Sequence, residues 1–413
     1  MTIPSVPSAP SLARVARGDT CSGCGACAAI AAGKVAMHVA TPGYLRPVQS
    51  APLTPEEDKA IWNVCPGLVE RVEADGRTDD ALWGPYVSMR LGWSTDDAVR
   101  HAGASGGALS AMLLHLVDSG VVDAVIETTA AADLAIGNAP VVTTDRDGII
   151  AAAGSRYAPS APLADLRDRL ADHRATGRRF AFVGKPCDAA AMAALRTVDP
   201  EVAAAVPVIL SFFCAGVPSH TGGRAVLAAL GAEEARTRSF RYRGNGWPGR
   251  ATAVLDDGTE TSMSYHESWG KILSRHVQHR CKICPDGTGS LADIVCADAW
   301  ESDAEGYPMF EEQPGVSLMV ARTALGERLI AEAQAAGRIG TGPFDVATLA
   351  AIQPGQRERR RGLAARLLAL RLVGRPVPRY EGLRIVAAAR QNPLKRNVRN
   401  FLGMVRRTAK RPG

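Results

Sequence analysis

Three cysteines separated by two residues each lie near the start of the chain, as Cys21-x2-Cys24-x2-Cys27 in a segment rich in Gly and Ala. This spacing matches neither the period of a helix nor that of a strand, so it is not a packing pattern. Three thiolates folded around one point are typical of the ligands of a cuboidal [4Fe–4S] cluster. The segment therefore predicts a loop built around an iron–sulfur centre.

A fourth ligand has to come from elsewhere in the chain. In two-cluster ferredoxins the next cysteine follows after three more residues, but Ala31 occupies that position here. Cys65 is the best candidate because it forms, with Pro66, the dipeptide that ends the ferredoxin signature. Zinc is the main alternative, although zinc sites usually pair two short cysteine motifs. The predicted ligands of this first site are Cys21, Cys24, Cys27 and Cys65.

Short apolar runs predict the strands of an α/β core. Val121–Glu127, Arg179–Val183 and Val206–Phe213 are apolar, β-branched or aromatic runs bounded by Gly or Pro, which is typical of buried strands. A helical segment, Ala189–Thr197, separates the last two runs. Residues 179–213 are therefore predicted to form a βαβ unit with parallel strands.

Two cysteines, Cys187 and Cys214, follow these strands. Ligand sites in open α/β sheets lie beyond the carboxyl ends of the strands, so both thiols are expected at one edge. The alternative is that both are small buried apolar residues. Cys296, in the strand-like run Asp293–Ala297, is expected to be a core thiol. The predicted ligands of a second [4Fe–4S] site are Cys187, Cys214 and the two cysteines of the Cys281-x2-Cys284 motif.

The segment Ala104–Ala108 (ASGGA) opens a predicted helix, Leu109–Val117. Ser105 can cap this helix, and the glycines that follow allow backbone N–H groups to approach an anion at its N-terminus. Taken alone, the motif fits plain helix capping as well as a pyrophosphate site. It does not match G-x-G-x-x-G, so the sequence gives no support to a Rossmann-type NAD site.

Seven segments resemble, in order along the chain, the β subunit of coenzyme F420-reducing hydrogenases and dehydrogenases. They are CSGCGACA (Cys21–Ala28), ASGGALSAML (Ala104–Leu113), GSRYAPS (Gly154–Ser160), GKPCD (Gly184–Asp188), FFC (Phe212–Cys214), YRGNGWPG (Tyr242–Gly249) and RCKICPDGTGSLADIVCADAW (Arg280–Trp300). The resemblance runs from about Cys21 to about Ile339. It implies a protein that binds FAD and one or more [4Fe–4S] clusters and moves electrons between a one-electron carrier and a two-electron acceptor.

The resemblance also implies roles for individual residues. The GKPCD, FFC and RCKIC segments match places where two-cluster members carry ligands, which supports the second site. Arg156 and Lys185 can neutralise a pyrophosphate or place positive charge near a reduced flavin, and each also suits a structural charge. The chain has Ala297-Asp298 where the family often has Gly-Asp. The residues implied to line the flavin are Ser105, Gly106, Gly107, Ser155, Arg156, Tyr157, Lys185, Asn245 and Gly246.

The net charge of +6 is unevenly distributed. Pro354–Gly413 contains 17 Lys and Arg but only two acids, a net +15, whereas the preceding 353 residues have a net charge of −9. Gly362–Val373 and Leu394–Arg407 predict basic amphipathic helices, which suit an anionic lipid surface or an acidic partner. A helical appendage that packs on the body is the alternative. No nucleic-acid partner is expected, because no recognised module accompanies the charge.

Together these observations predict an α/β protein in three parts. They are a small N-terminal ferredoxin-like iron–sulfur module (1–85), an α/β flavin-binding domain (86–345) and a basic helical C-terminal extension (346–413). Since the chain shows neither an apolar leader nor a run of about 18 apolar residues, a cytoplasmic location is expected. Peripheral contact with the inner membrane face through the basic helices is an additional hypothesis.

The preferred interpretation is an oxidoreductase that takes electrons from a one-electron donor such as ferredoxin. The electrons would pass through two [4Fe–4S] clusters to FAD and then to a small organic acceptor. That acceptor is hypothesised to belong to polysaccharide or other cell-envelope biosynthesis. One alternative is an F420-dependent β subunit, and another is a zinc-stabilised scaffold without redox activity.

Overall fold

The computed structural model describes residues 8–299 and 314–409. Its strands are β1 (Val35–Ala40), β2 (Tyr44–Gln49), β3 (Val69–Arg71), β4 (Ser88–Ser94), β5 (Ala124–Ala130), β6 (Asn138–Thr143), β7 (Phe180–Gly184), β8 (Val208–Phe212), β9 (Thr237–Arg241), β10 (Arg250–Leu255), β11 (Glu260–Ser264), β12 (Ile294–Asp298), β13 (Ser317–Ala321), β14 (Ile339–Gly342) and β15 (Arg379–Glu381). Its helices are α1 (Pro10–Gly18), α2 (Ala26–Ile30), α3 (Pro55–Val64), α4 (Asp97–Ala102), α5 (Ala108–Asp118), α6 (Arg146–Ala151), α7 (Leu166–Thr176), α8 (Pro186–Val198), α9 (Pro200–Ala205), α10 (His220–Ala229), α11 (His279–Lys282), α12 (Ala324–Ala335), α13 (Leu349–Ile352), α14 (Pro354–Leu372), α15 (Ile385–Arg390) and α16 (Leu394–Ala409).

An eight-stranded sheet forms the centre of the described structure, in the order β14-β4-β13-β12-β8-β7-β5-β6. The four strands β12, β8, β7 and β5 run parallel, and the pairs outside them are antiparallel. Parallel strands are covered on both faces, and β7 is accordingly buried along its whole length. The predicted βαβ unit is confirmed, because β7 and β8 are parallel and α8 lies between them in the chain.

Hydrophobic cores cover both faces of this sheet. Met112 and Leu116 of α5 are fully buried on one face, and Met192 of α8 is fully buried on the other. Val125 and Ile126 are consecutive in β5 and belong to opposite cores, as the two-residue period of a strand requires. The two helices therefore fix the ends of the parallel strands from both sides.

Segments from the two ends of the chain pack on one another and on the body. Strand β3 pairs in parallel with β15, so an N-terminal and a C-terminal segment share one small sheet. The predicted amphipathic helices lie within α14 and α16, which pack together through a core that includes Leu363, Leu367 and Met404. Ile283 of the Cys281-x2-Cys284 motif belongs to the same core. The boundaries at residues 85 and 345 stay predictions.

Candidate redox site

A cavity of about 270 Å³ lies at the carboxyl ends of β7, β8 and β12. This is the expected place for a ligand in an open α/β sheet. The volume falls just below the range typical of small-molecule sites, about 300–1,000 Å³. Six of the nine residues implied to line a flavin are in its wall, namely Ser105, Gly107, Ser155, Arg156, Tyr157 and Lys185.

The N-terminus of α5, which follows the SGG segment, is capped differently from what the sequence predicts. Helix α5 is capped by Gly107 without a side-chain hydrogen bond, so the prediction that Ser105 caps this helix is wrong. The Ser105 hydroxyl is instead within hydrogen-bonding distance of the carbonyl oxygens of Val316 (3.1 Å) and Ala297 (3.3 Å). A side chain at Gly107 would come within 2.6 Å of the Val99 carbonyl oxygen. Close backbone packing therefore explains the glycine, and tertiary neighbours engage the serine.

The remaining three implied residues lie outside the cavity wall. Gly106 packs against the backbone of Val316, where a side chain would come within 2.9 Å. Asn245 adopts a positive φ of 55°, and the amide of Gly246 donates to the His101 carbonyl oxygen at 2.8 Å. Gly246 therefore contacts α4, and Gly106 contacts the segment that leads into β13.

A buried ion pair lies in the cavity wall at the turn between β7 and α8. Lys185 Nζ donates to Asp188 Oδ2 at 2.5 Å and to Ser160 Oγ at 3.0 Å. Burial would lower the pKa of Lys185, but the Asp188 carboxylate outweighs it and raises that pKa, so the ammonium stays charged. Asp188 Oδ1 is buried without a hydrogen-bond partner among the residues described. Such an oxygen can accept a hydrogen bond from a bound ligand.

Arg243 and Asp298 form a second ion pair in the cavity wall. Two guanidinium nitrogens of Arg243 donate to the two carboxylate oxygens of Asp298 at 2.8 and 2.9 Å. The guanidinium also lies 4.9 Å from the centroid of the Tyr265 ring. Arg243 was not among the residues predicted from the sequence. Its place in the YRGNGWPG segment, and the position of Asp298 at the end of a strand, were the available indications.

Arg156 lines the cavity, but its guanidinium is directed towards the protein. Its Nε donates to Asn138 Oδ1 at 2.7 Å and its Nη2 to the Gly137 carbonyl oxygen at 2.9 Å. The group also lies 5.7 Å from the centroid of the Tyr242 ring. Burial lowers the pKa of Arg156. These contacts hold the loop before β6, so Lys185 is better placed than Arg156 to meet a ligand.

Glu127 is a buried carboxyl group in the cavity wall that was likewise not predicted from the sequence. The Thr143 hydroxyl donates to its Oε1 at 2.6 Å. Burial raises the pKa of Glu127 from its ordinary value of 4.5 to about 7. A carboxyl group with a pKa near neutrality can take up or release a proton at physiological pH. Its only indication in the sequence was an acid at the end of an apolar run.

The four N-terminal cysteines, here called the first thiol set, surround one small cavity of about 20 Å³. Cys27 lies in the short helix α2 and Cys65 caps the C-terminus of α3. The wall consists mostly of apolar side chains and contains Cys21, Cys24, Cys27, Cys65, Leu12, Val15, Ile30, Met37, Ile61 and Val64. The predicted grouping of these four residues is therefore present in the fold.

Neighbouring backbone amides favour the thiolate form of the cysteines in the first thiol set. The amides of Gly23, Ala26, Ala28 and Gly67 lower, in that order, the pKa of Cys21, Cys24, Cys27 and Cys65, although burial raises each of these pKa values more strongly. Amide donors of this kind stabilise the thiolates that hold a metal centre. Burial raises the pKa of Cys24 to about 11, and metal coordination would deprotonate such a thiol.

The donor set suits a cluster better than one metal ion. Within the described ranges, no three His, Cys, Asp or Glu side chains are close enough to hold a single ion. A zinc ion bound by thiolates at 2.3 Å needs sulfur atoms about 3.8 Å apart, whereas a cuboidal cluster takes ligands that are further apart. Four thiols that line one cavity supply the donor type and the number of ligands that a [4Fe–4S] cluster takes.

The other four predicted cysteines, here called the second thiol set, come from separate elements. Cys187 opens α8, Cys214 follows β8, Cys281 lies in α11 and Cys284 follows that helix. Burial, and after it the neighbouring Cys281, raises the pKa of Cys214 to about 12. The Val217 amide donates to Cys281 Sγ at 3.4 Å. The thiols of Cys187, Cys214 and Cys281 are near enough to influence one another, and their shared ligation of a metal centre stays a prediction.

Cys296 is a core thiol, as expected. It lies in β12 and is 5% exposed. Burial alone raises its pKa to about 12.

The turn between β7 and α8 connects both thiol sets with the cavity. After burial, the Asp188 carboxylate is the main influence that raises the pKa of Cys24 in the first set. Its partner Lys185 acts on Cys187 in the second set and lines the cavity. Cys214 of the second set also lines the cavity. The two sets and the cavity therefore adjoin one another at this turn.

Comparison with known proteins adds independent support. Two parts of the chain match the beta subunit family of coenzyme F420 hydrogenase/dehydrogenase, residues 89–167 its N-terminal part and residues 177–347 its C-terminal part. The coenzyme F420 hydrogenase subunit beta of Methanococcus voltae is 25% identical over 284 residues, which cover 64% of this chain and 86% of that protein.

A solved structure shares the fold. A chain of the F420-reducing [NiFe] hydrogenase complex from Methanosarcina barkeri superposes with a TM-score of 0.52 and 21% identity, covering 68% of this chain and 95% of that chain. The family match contains the second thiol set, nearly all of the central sheet and most of the cavity wall, whereas the first thiol set, helix α14 and the wall residues Gln353 and Gln356 lie outside it. The chain belongs to the coenzyme F420 hydrogenase/dehydrogenase beta subunit family.

Proposed function

We propose that this protein is an electron-transferring oxidoreductase in which two [4Fe–4S] clusters, one on each thiol set, exchange electrons with a flavin in the cavity. The observation that carries the proposal is the turn Lys185–Asp188, which adjoins both thiol sets and the cavity. Electron transfer between centres needs them close together, and this turn contains Cys187, lines the cavity and brings Asp188 near Cys24.

Coenzyme F420 is the two-electron partner that the comparisons favour. Both relatives are named for F420, one as a hydrogenase subunit and one as part of an F420-reducing complex. Neither name points to polysaccharide or cell-envelope biosynthesis, the preferred interpretation of the sequence alone. We therefore place the F420-dependent hypothesis ahead of an unidentified organic acceptor.

The residues in the cavity wall fit a ring system with an anionic edge. A bound FAD would supply the conversion between one-electron and two-electron transfer. Lys185 places an ammonium group in the wall that can donate a hydrogen bond to a phosphate or to a negatively charged ring, while its charge is balanced by Asp188. The unpaired Asp188 Oδ1 can accept a ring N–H, and Glu127 can hold or release a proton. Phe212 and Leu113 line the apolar part and exclude water.

Electrons would enter from a one-electron carrier, either ferredoxin or a neighbouring subunit. The solved relative comes from a multi-subunit hydrogenase complex, which supports a protein partner.

The exposed face of α16 offers a contact surface, because Leu394, Val398 and Leu402 recur every four residues and are exposed. Lys395 and Arg399 lie beside them, so the surface suits an acidic protein or an anionic membrane. No helix in the described ranges is both long and apolar enough to cross a bilayer.

Anaerobic purification tests this function. The protein should be brown, with iron and acid-labile sulfide sufficient for about two clusters per chain and one flavin. After reduction it should bleach the visible absorption of oxidised F420, and a Cys24→Ser variant should transfer electrons from a one-electron donor more slowly while keeping its flavin. Reduction of other acceptors but not of F420 would restore the organic-acceptor hypothesis. Colourless protein with stoichiometric zinc and no flavin would support the scaffold hypothesis instead.

A further inference from the structure

The basic C-terminal extension lies directly over the second thiol set. Arg359 of α14 donates from Nη1 to the Cys214 carbonyl oxygen at 3.0 Å and from Nη2 to the Ala215 carbonyl oxygen at 2.9 Å. Gln356, one turn earlier on the same helix, donates to the same Cys214 oxygen at 3.0 Å. Helix α14 therefore binds the segment that carries one of the four thiols.

The extension binds the Cys281-x2-Cys284 motif in the same manner. Carbonyl oxygens within and just after the motif accept hydrogen bonds from C-terminal side chains. The pairs are Arg366 with Lys282 (3.0 Å), Tyr380 with Ile283 (3.0 Å) and Arg360 with Pro285. Arg360 and Arg366 of the extension thus bind the segment that carries Cys281 and Cys284, so these two cations are not available to an external partner.

Arg280 places one more cation between the two thiol sets. Its guanidinium is 2% exposed and donates from Nη2 to Glu70 Oε1 at 2.6 Å and to the Pro66 carbonyl oxygen at 3.0 Å. Pro66 follows Cys65 of the first set, and Arg280 itself precedes Cys281 of the second. Its Nε and Nη1 are buried without a hydrogen-bond partner among the described residues. Unpaired donors on a buried cation are costly, and an acceptor such as a cluster sulfur would satisfy them.

The charges around the two sets differ. Arg46 and Arg280 act on the first set, but Asp19 and Asp188 oppose them. The cations that act on the second set are Lys185, Arg280, Arg359 and Arg360, and the acids in the same group of charges are Asp188, Glu70 and Asp286, which leaves an excess of one positive charge. Positive charge therefore outweighs negative charge only at the second set.

We propose that the C-terminal extension is part of the redox machinery, in which Arg359 and Arg360, together with Arg280, hold a cluster on the second thiol set at a higher reduction potential than one on the first. A reduced cluster carries one more negative charge than an oxidised one, so nearby cations stabilise it. One electron then passes from the reduced first centre to the oxidised second centre, and no bond is made or broken. The inference rests on the proposed function, because it requires a cluster on each set.

Redox titration followed by electron paramagnetic resonance tests the inference on the anaerobically reconstituted full chain. Cys24→Ser and Cys281→Ser variants, each lacking one centre, assign the two midpoint potentials. We expect the second set to have the higher potential in the unaltered protein. Arg359→Gln should shift the reduction equilibrium of the second centre about tenfold towards oxidation, or about 59 mV for one electron, and leave the first centre unchanged. Arg359→Lys, which keeps the charge, should retain most of the original potential.

Arg371 is the matched control for Arg359. It is an exposed arginine on the same helix, twelve residues or about 18 Å further along its axis. Arg371→Gln removes the same charge and should leave both potentials unchanged. An equal shift in the two glutamine variants, no shift in Arg359→Gln, or a lower potential on the second set of the unaltered protein would overturn the inference.

Arg280→Gln supplies a second test that does not depend on α14. It should lower both potentials, since Arg280 acts on both sets, whereas unchanged potentials would remove Arg280 from the inference. If Arg359→Gln does not fold, Arg360→Gln on the same helix replaces it, and an unchanged potential of the second centre would overturn the inference. Failure of the proposed function is seen earlier and separately, as protein that binds no iron before any potential is measured.

Discussion

The two thiol sets are assembled in opposite ways. Three members of the first set lie within Cys21–Cys27, and apolar side chains line most of the wall around them. The second set collects one thiol each from α8, the end of β8, α11 and the turn after it, beneath arginines that come from α14. The first set therefore consists mainly of cysteines that are neighbours along the chain, whereas folding brings the cysteines of the second set together from distant segments. The difference teaches that similar ligands can be given different electrostatic surroundings by the elements packed over them.

Removal of one ligand from each set should have the largest effect. Cys24→Ser and Cys281→Ser should each reduce the iron and sulfide content by about half, because each set holds its own cluster. Cys24→Ser should also lower the midpoint of thermal unfolding more, since the core around the first set is small and metal binding is linked to folding. Metal analysis and calorimetry measure both effects. Loss of all iron in either variant would mean that the two sets are not independent.

Truncation of the core beneath α14 should weaken the second set selectively. The Leu363 side chain of α14 is fully buried in a core that contains Met404 of α16 and Ile283. Leu363→Ala should therefore lower the free energy of unfolding by about 2–5 kcal/mol. It should also hasten the loss of the cluster on the second set in air. Denaturant unfolding and the decay of the two spectroscopic signals measure these changes.

Leu368 on the same helix is the control, because it is 52% exposed. Leu368→Ala should change the free energy of unfolding by at most about 0.5 kcal/mol. Equal decay of both clusters in Leu363→Ala would contradict the selective cover of the second set.

Glu127 in the cavity wall should make the free energy of unfolding depend on pH. Burial raises the pKa of Glu127 from 4.5 to about 7, so the folded state favours the protonated form. The contribution of Glu127 to the free energy of unfolding is therefore fully present below pH 4.5 and is lost as the pH rises through 7, by up to about 3 kcal/mol. Glu127→Gln should lose this dependence, which urea unfolding at pH 5 and pH 8 would measure. The same pH dependence in both proteins would refute a raised pKa at Glu127.

The smallest effect is expected on the surface of the extension. Leu402 is 48% exposed on α16, so Leu402→Ala should change the free energy of unfolding by at most about 0.5 kcal/mol. The same variant should nevertheless weaken binding to anionic vesicles if this face meets a membrane. Co-sedimentation of both proteins with anionic and neutral vesicles measures this. Equal binding by the two proteins would favour an acidic protein partner or no contact at all.

Local features of the fold could be predicted from the sequence. The apolar runs that became β7 and β8 and the helix between them follow from residue periodicity, and the spacing of Cys21, Cys24 and Cys27 predicts metal-binding thiolates rather than packing residues. Features that depend on neighbours distant in the chain could not be predicted. Ser105 looks like a helix cap, but carbonyl groups of Ala297 and Val316 compete for its hydroxyl.

The sequence by itself determined which side chains can act as thiolate ligands, where strands and helices form, and that the C-terminal extension is basic. Only the tertiary structure decided what those charges face. Periodicity and spacing describe neighbours along the chain, whereas electrostatic interaction depends on distance through space. Arg359 therefore resembles any other arginine of a basic helix in the sequence, and it becomes distinct only where α14 lies against the carbonyl group of Cys214.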